Sequence, residues 1–494
     1  MKQKDRFYSI KKKAAKGALT LTARRIILKG IDALGMIFLA RLLTQSEFGI
    51  FGIINFVVFT LFGFLSDIGL GASLIQRKKI NRRDLTTVFS VQFILVLFLN
   101  FLVWLFSPLL IKLYHLSHAS IWLMRATAFC LILTSFKTIP SVLLERELKY
   151  EKLLIPEIAE TVIFNFLAVI LAYFGFGVWS LTVGLLARTA VGAFILFLMV
   201  PWPVGLRISR SSLKHLLGFG IPYQANSLLA LLKDNLTPTV IAYFYGPAAV
   251  GYVNLAQGIA YKPMEISNII NRLVFPTFSK IQEDRVRVGR WFERGVRLMG
   301  YFYFPLVFGL LVVARPILTY VYAAKSDKWL PALPALYPFI IGSLPVIFTT
   351  TGSNVLYALG RSKSVLKLMV IYTLLTWAIG IPLIVKIGYV GIAWAGVPIA
   401  LISIFLVKNE MKKVGIKFSF TRMLGVPFLA SFFMAFLIYW PAQYWVKNIV
   451  HLLLVIISGI FAYIFFLFLL LRGKMKEELE IIVNSVSGRR KKLS

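Results

Sequence analysis

Residues 85–111 read LTTVFSVQFILVLFLNFLVWLFSPLLI, 27 positions without a charged side chain, directly after the polar run QRKKINRRD at 76–84. A helix rises 1.5 Å per residue, so about 20 apolar residues cross the ~30 Å hydrocarbon core of a bilayer. The stretch is long enough to span. Its basic flank marks the end expected on the cytoplasmic side.

The same alternation runs through the chain. Apolar windows fall at 18–43, 48–73, 85–111, 120–143, 154–174, 178–200, 216–243, 248–276, 295–322, 333–357, 365–385, 389–407, 422–440 and 449–471. They predict an all-α polytopic membrane protein with about fourteen transmembrane helices. Of the 494 residues 59% are hydrophobic and the mean hydropathy is +0.80, more apolar surface than a soluble core can hide.

A formal net charge of +35 would suggest nucleic acid in a soluble protein. Here the charge is sorted by loop. One alternate set of loops, with both termini, holds 38 Lys and Arg residues, whereas the other holds only Lys112, Lys325, Lys328, Lys386 and Lys447. The positive-inside rule then places both termini in the cytoplasm of a multi-pass protein of the inner (cytoplasmic) membrane. The remaining 12 basic residues lie within the apolar windows, where desolvation is costly and charge points to function. Neither the charge pattern nor the short loops call for a nucleic-acid partner.

The predicted organisation is a basic cytoplasmic leader (1–17), an N-terminal transmembrane half of about six helices (18–205), a C-terminal half of about six (206–407), two additional helices (408–471) and a basic tail (472–494). A single cysteine, Cys130, excludes an intrachain disulfide. The sequence contains no P-loop, HExxH, GxSxG or CxxC motif, so neither catalysis nor a cofactor is expected.

An internal repeat underlies the two halves. LTQSEFGIFGIINF near the first hairpin corresponds to YGPAAVGYVNLAQG about 200 residues later, with Gly49 matching Gly251 and Asp32 matching Asp234 at an offset of 202. Intramembrane acids at equivalent positions point to duplication. With six spans between the copies, both have the same orientation, which predicts two pseudo-symmetric halves around a central cavity.

The segment ARLLTQSEFGIFGIINFVVFTLFGFLSDIGLGASLIQRKK (40–79) resembles the opening of Wzx-type polysaccharide flippases in the multidrug/oligosaccharidyl-lipid/polysaccharide exporter superfamily, and GPAAVGYVNLAQGIAYKPMEISNIINRLVFPTFSKIQED (246–284) is similar to that family's next signature. The resemblance implies transport of undecaprenyl-pyrophosphate-linked oligosaccharides to the outer leaflet for cell-surface polysaccharide biosynthesis. It also implies membrane lipids as surroundings and a polysaccharide polymerase as a candidate partner.

A pyrophosphate cannot cross an apolar core unaided, and fixed cations in a wet cavity solve that problem. The candidates are Arg24, Arg25, Lys29, Arg125, Arg188, Lys233 and Lys262. Arg25, Lys29 and Asp32, at i, i+4 and i+7, share one helix face. Asp32, Asp234 and Glu265 are candidates for coupling to H⁺ or Na⁺, since a desolvated carboxylate gains proton affinity. Local ion pairing with Lys29, Lys233 and Lys262 is the competing reading of these acids, and interfacial snorkelling that of Arg24 and Arg25. Pro238 is expected to kink the seventh span. Two further readings stay open within the superfamily: a multidrug cation antiporter, which an excess of intramembrane bases disfavours, and a lipid II-type flippase, which shares the cationic logic.

Overall fold

The computed structural model describes residues 28–76, 80–147, 149–265, 267, 278, 281–324 and 326–471, with backbone only at 67, 72, 76, 150, 215 and 218–238. The described residues are all helix and connecting loop, without strand. In chain order the helices are α1 (28–42), α2 (Gln45–Asn55), α3 (Gly63–Asp67), α4 (Leu70–Gln76), α5 (Arg82–Leu113), α6 (Ser120–Arg146), α7 (Tyr150–Tyr173), α8 (Val178–Met199) and α9 (Arg210–Ala260). There follow α10 (Arg285–Pro316), α11 (Leu333–Ser343), α12 (Val346–Ala358), α13 (Ser362–Ile387), α14 (Gly391–Lys413), α15 (Phe420–Trp440) and α16 (Ile449–Leu471).

Each of the fourteen apolar windows holds described helix. Among the described residues nine helical stretches are long and apolar enough to cross a membrane, and α11 with α12, bent by 42°, makes a tenth. One of the nine, Ser362–Lys413, carries two predicted windows, because Gly388 (φ 80°) turns the chain between α13 and α14. The architecture is the expected all-α polytopic membrane fold.

Three windows differ in detail. The second is not one continuous helix: α2 passes through a π-helical stretch at Phe56–Phe62 into α3, which ends at Ile68 and Gly69 with φ of 45° and 70°. The tenth breaks at Leu344 and Pro345, since a proline supplies no N–H to the preceding turn. Within α9 the non-helical torsions fall at Gly246 (φ 74°) and not at the expected Pro238. Glycine adopts positive φ without the Cβ penalty that other residues meet.

The described chain forms two compact units, Met1–Gly251 and Tyr252–Ser494. In the first, α7 packs along α8 and α8 against α6, while Ile54, Val58, Val103, Met124 and Leu131 form a core between α2, the π-helical stretch, α5 and α6. In the second, α10 packs against α15, and Ala430, Met434, Leu452 and Val455 close a core with α16. The outer side of α16 carries exposed Leu453, Ile457, Phe461, Phe465 and Phe468, the surface lipid would solvate.

Candidate functional site

Polar groups inside the first unit converge on α7. Glu160 lies ten residues from the start of α7, about 15 Å along its axis, half the depth of a bilayer core. Its side chain is only 10% exposed, and its Oε1 accepts a hydrogen bond from Lys137 Nζ on α6. The other oxygen, Oε2, stands 3.5 Å from Arg188 Nε on α8. Lys137 and Arg188 are also well inside their helices, about 14 and 16 Å from the ends at Arg146 and Met199.

Gly192 makes this triad fit. It lies one turn beyond Arg188, and a Cβ there would overlap the Glu160 carboxylate. Two cations and one anion leave the triad with an excess of one positive charge. The cations are unequal: the Lys137 side chain is 22% exposed and hydrogen-bonded, whereas that of Arg188 is 40% exposed. A guanidinium has five N–H donors. Among the described residues Arg188 is engaged only by Glu160 through Nε and by the Phe164 ring, 5.9 Å from its Cζ, so its terminal nitrogens have donors to spare.

Five residues further along α7, Asn165 reaches α1. Its Nδ2 donates to Asp32 Oδ1 at 3.1 Å and to the Thr161 carbonyl at 2.9 Å. Gly35, one turn from Asp32, leaves room for the amide, since a Cβ there would overlap Asn165 Oδ1. This acid of α1 is therefore held by a neutral donor from α7.

Arg125 is placed elsewhere. Its Nε donates to Ser107 Oγ and its Nη2 to the Trp104 carbonyl, both at 3.1 Å, and its Cζ lies 4.9 and 5.2 Å from the rings of Trp104 and Trp122. This is a cation–π clamp near the start of α6, remote in the fold from the α7 triad. Trp104 and Trp122 are largely exposed, as in the aromatic belt of a membrane protein.

In the second unit, Lys262 and Glu265 are both exposed and line a cleft of about 410 Å³ with Asn254, Gln257, Gly258 and Tyr261. Lys29 is exposed on α1. Arg24 and Arg25 lie outside the described residues, as do the side chains of Lys233 and Asp234. Among the described residues no group of three or more His, Cys, Asp or Glu side chains could hold a metal ion.

Of the predicted residues, then, α7 gathers Arg188 and Asp32 through Glu160 and Asn165, two residues absent from the predicted set. Glu160 stands six positions into its apolar window. The helix starts four residues earlier, at Tyr150, and so carries Glu160 deep. The spacing of Lys137, Glu160 and Arg188 on three successive windows was the available signal.

Comparison with known proteins agrees with this architecture. The chain is 27% identical to the lipopolysaccharide biosynthesis protein WzxC of Escherichia coli K12 over 348 residues, 70% of each chain. It is 28% identical to the teichuronic acid biosynthesis protein TuaB of Bacillus subtilis 168 over 302 residues, 60% of this chain and 61% of that one. Among solved structures, the lipid II flippase MurJ in an inward closed conformation superposes with a TM-score of 0.78 at 19% identity, covering 92% of this chain and 99% of the other. An inward-facing multidrug MATE transporter of the same exporter superfamily gives 0.60 at 14% identity, over 78% and 94%. The fold is thus the one these two transporters share. The Polysaccharide biosynthesis protein family profile matches residues 38–334, and with more than half of its length so matched the chain belongs to that family.

Proposed function

We propose that this protein translocates undecaprenyl-pyrophosphate-linked oligosaccharide repeat units from the cytoplasmic to the outer leaflet of the cytoplasmic membrane, with both termini in the cytoplasm. The observation that carries the reading is Arg188: a guanidinium at mid-depth, 40% exposed, in a triad with net positive charge. A planar fork of N–H donors matches a phosphate oxygen pair, and low dielectric around it strengthens the attraction. A cation-exporting site would need the opposite balance.

The chemistry required is binding and release. Glu160 keeps Lys137 neutralised and Arg188 oriented, so the anionic head group meets one preorganised cation. The polyprenyl tail stays in lipid, and alternating access moves the head group and its glycan. Asp32, held by Asn165, serves as the site where H⁺ or Na⁺ couples to the cycle. No catalytic residue or cofactor takes part, and a polysaccharide polymerase would receive the product. The lipid II-type reading shares this head-group chemistry and draws support from the MurJ likeness. The glycan separates the two.

The test is the leaflet distribution of undecaprenyl-pyrophosphate-linked oligosaccharide in cells lacking the protein, complemented by wild type or by Arg188→Ala. Cytoplasmic-leaflet accumulation, relieved by wild type and not by Arg188→Ala, is the expected result. Unchanged lipid distribution with altered drug sensitivity would refute it in favour of the antiporter.

A further inference from the structure

The cleft in the second unit differs in chemistry from the α7 triad. Asn254, Gln257, Gly258, Tyr261, Lys262 and Glu265 recur at i, i+3, i+4, i+7, i+8 and i+11 along the distal part of α9 and the turn that follows, the spacing of one helix face. Counted from Pro247, Gln257 is ten residues or about 15 Å along the helix, again at mid-depth. Two carboxamides, an ammonium and a carboxylate are costly to set against hydrocarbon, so this face meets water or a ligand. Its volume of about 410 Å³ falls within the ~300–1,000 Å³ of small-ligand pockets.

The charges on this face cancel, one Lys against one Glu, whereas the triad keeps an excess cation. Each carboxamide supplies both donors and an acceptor, the combination that pairs with vicinal hydroxyls. Tyr261 adds a flat apolar surface, its ring fixed edge-on against Phe339 at 5.9 Å and 71°. At Gly258 a Cβ would meet nothing within 4 Å, so the middle of the face is open to a close approach.

Neutral charge, paired donors and acceptors, and an exposed aromatic face match a saccharide ring and not a phosphate. We infer that this cleft is a glycan-binding shelf for an uncharged, polyhydroxylated sugar ring of the cargo, with Asn254 and Gln257 bonding the hydroxyls and Tyr261 stacking on the ring. The inference rests on the flippase reading, and gives that reading its sugar-contacting residues.

The experiment uses the full chain in nanodiscs and two probes: undecaprenyl pyrophosphate alone, and the lipid-linked repeat unit extracted from cells that make the protein. Wild type should bind the glycan-bearing lipid at least tenfold more tightly. Gln257→Ala, and Gly258→Phe, which puts a ring over the open middle of the face, should each abolish that preference while leaving the affinity for undecaprenyl pyrophosphate unchanged; the retained affinity also shows that the variants fold. Equal binding of the two lipids by wild type, or a preference that survives both substitutions, overturns the shelf and leaves the flippase reading standing. Failure of wild type to bind either lipid overturns both.

Discussion

Gly49 on α2 lies against the carbonyl of Pro247, and Gly251, its repeat partner 202 positions on, lies against the carbonyl of Gln45, which is itself 202 positions before Pro247. The contact is reciprocal: each copy of the repeat offers a glycine to the helix start of the other. Reciprocity of this kind is what a local two-fold axis imposes on an isologous contact. Both glycines are needed for space, since a Cβ on either would overlap a backbone oxygen that no rotamer change can move.

Gly49→Ala and Gly251→Ala should therefore destabilise the protein to a similar extent, by about 1–3 kcal/mol each as in other overpacked contacts. In thermal unfolding of the purified protein both variants should lose several degrees of Tm. Because the two glycines share one contact, the double variant should lose less than the sum of the single losses. Full additivity would show that the two contacts act separately.

The membrane fold was legible because it rests on a one-dimensional quantity, the length of each apolar run. The 202-residue offset matched Gly49 with Gly251 before any contact was known. The site was less legible. Arg188 and Asp32 stand out as charges in apolar sequence, but their partners Glu160 and Asn165 are revealed only when α7 is rotated against α1, α6 and α8, and that rotation is set by packing around Gly35 and Gly192. Arg125 looks like Arg188 in sequence, with apolar neighbours on both sides. Only the two tryptophans beside it show that it is an anchor.

Removing Glu160 alone should be worse than removing its whole interaction. Glu160→Ala leaves Lys137 and Arg188 facing each other at mid-depth without a counter-charge, and breaking a buried ion pair from one side costs about 3–5 kcal/mol. The double variant Lys137→Met, Glu160→Leu removes the pair together and should recover most of that loss in a thermal unfolding assay. Equal Tm values for the single and double variants would mean that Glu160 contributes no pairing energy.

Gly192→Ala reaches the same carboxylate by steric means. Its methyl group would displace Glu160, so the single substitution should lower the Tm, and Gly192→Ala combined with Glu160→Ala should lose less than the two changes added together. Independent, additive losses would place the Gly192 effect elsewhere on α8.

At the end of α14, Glu410 accepts a hydrogen bond from Lys413 at 2.6 Å. That bond holds its carboxyl below the usual carboxylate range against the opposing effect of burial. A carboxyl whose pKa is lower folded than unfolded stabilises the fold above its unfolded value, and that contribution fades as pH falls through the folded one. Lys413→Met should thus shift the acid limb of a Tm-versus-pH curve to higher pH, with little change near pH 7 beyond the loss of the pair. An acid limb that does not move would show that Glu410 titrates equally in both states.

Asp32 supplies the sharpest test of coupling. Its carboxylate oxygen takes a hydrogen bond from the neutral Asn165 amide, so its negative charge is oriented without being cancelled by that residue. Asp32→Asn keeps the shape and a hydrogen-bonding partner while removing the charge. If the ion gradient acts through Asp32, inverted vesicles carrying the variant should still bind lipid-linked oligosaccharide but lose at least tenfold of gradient-driven translocation, and the residual rate should no longer respond to collapse of the proton or sodium gradient. Asn165→Ala should fall between wild type and Asp32→Asn, because it releases the carboxylate without neutralising it. Gradient-dependent transport at the wild-type rate in Asp32→Asn would exclude Asp32 as the coupling site and leave Asp234 and Glu265 as the acids to test.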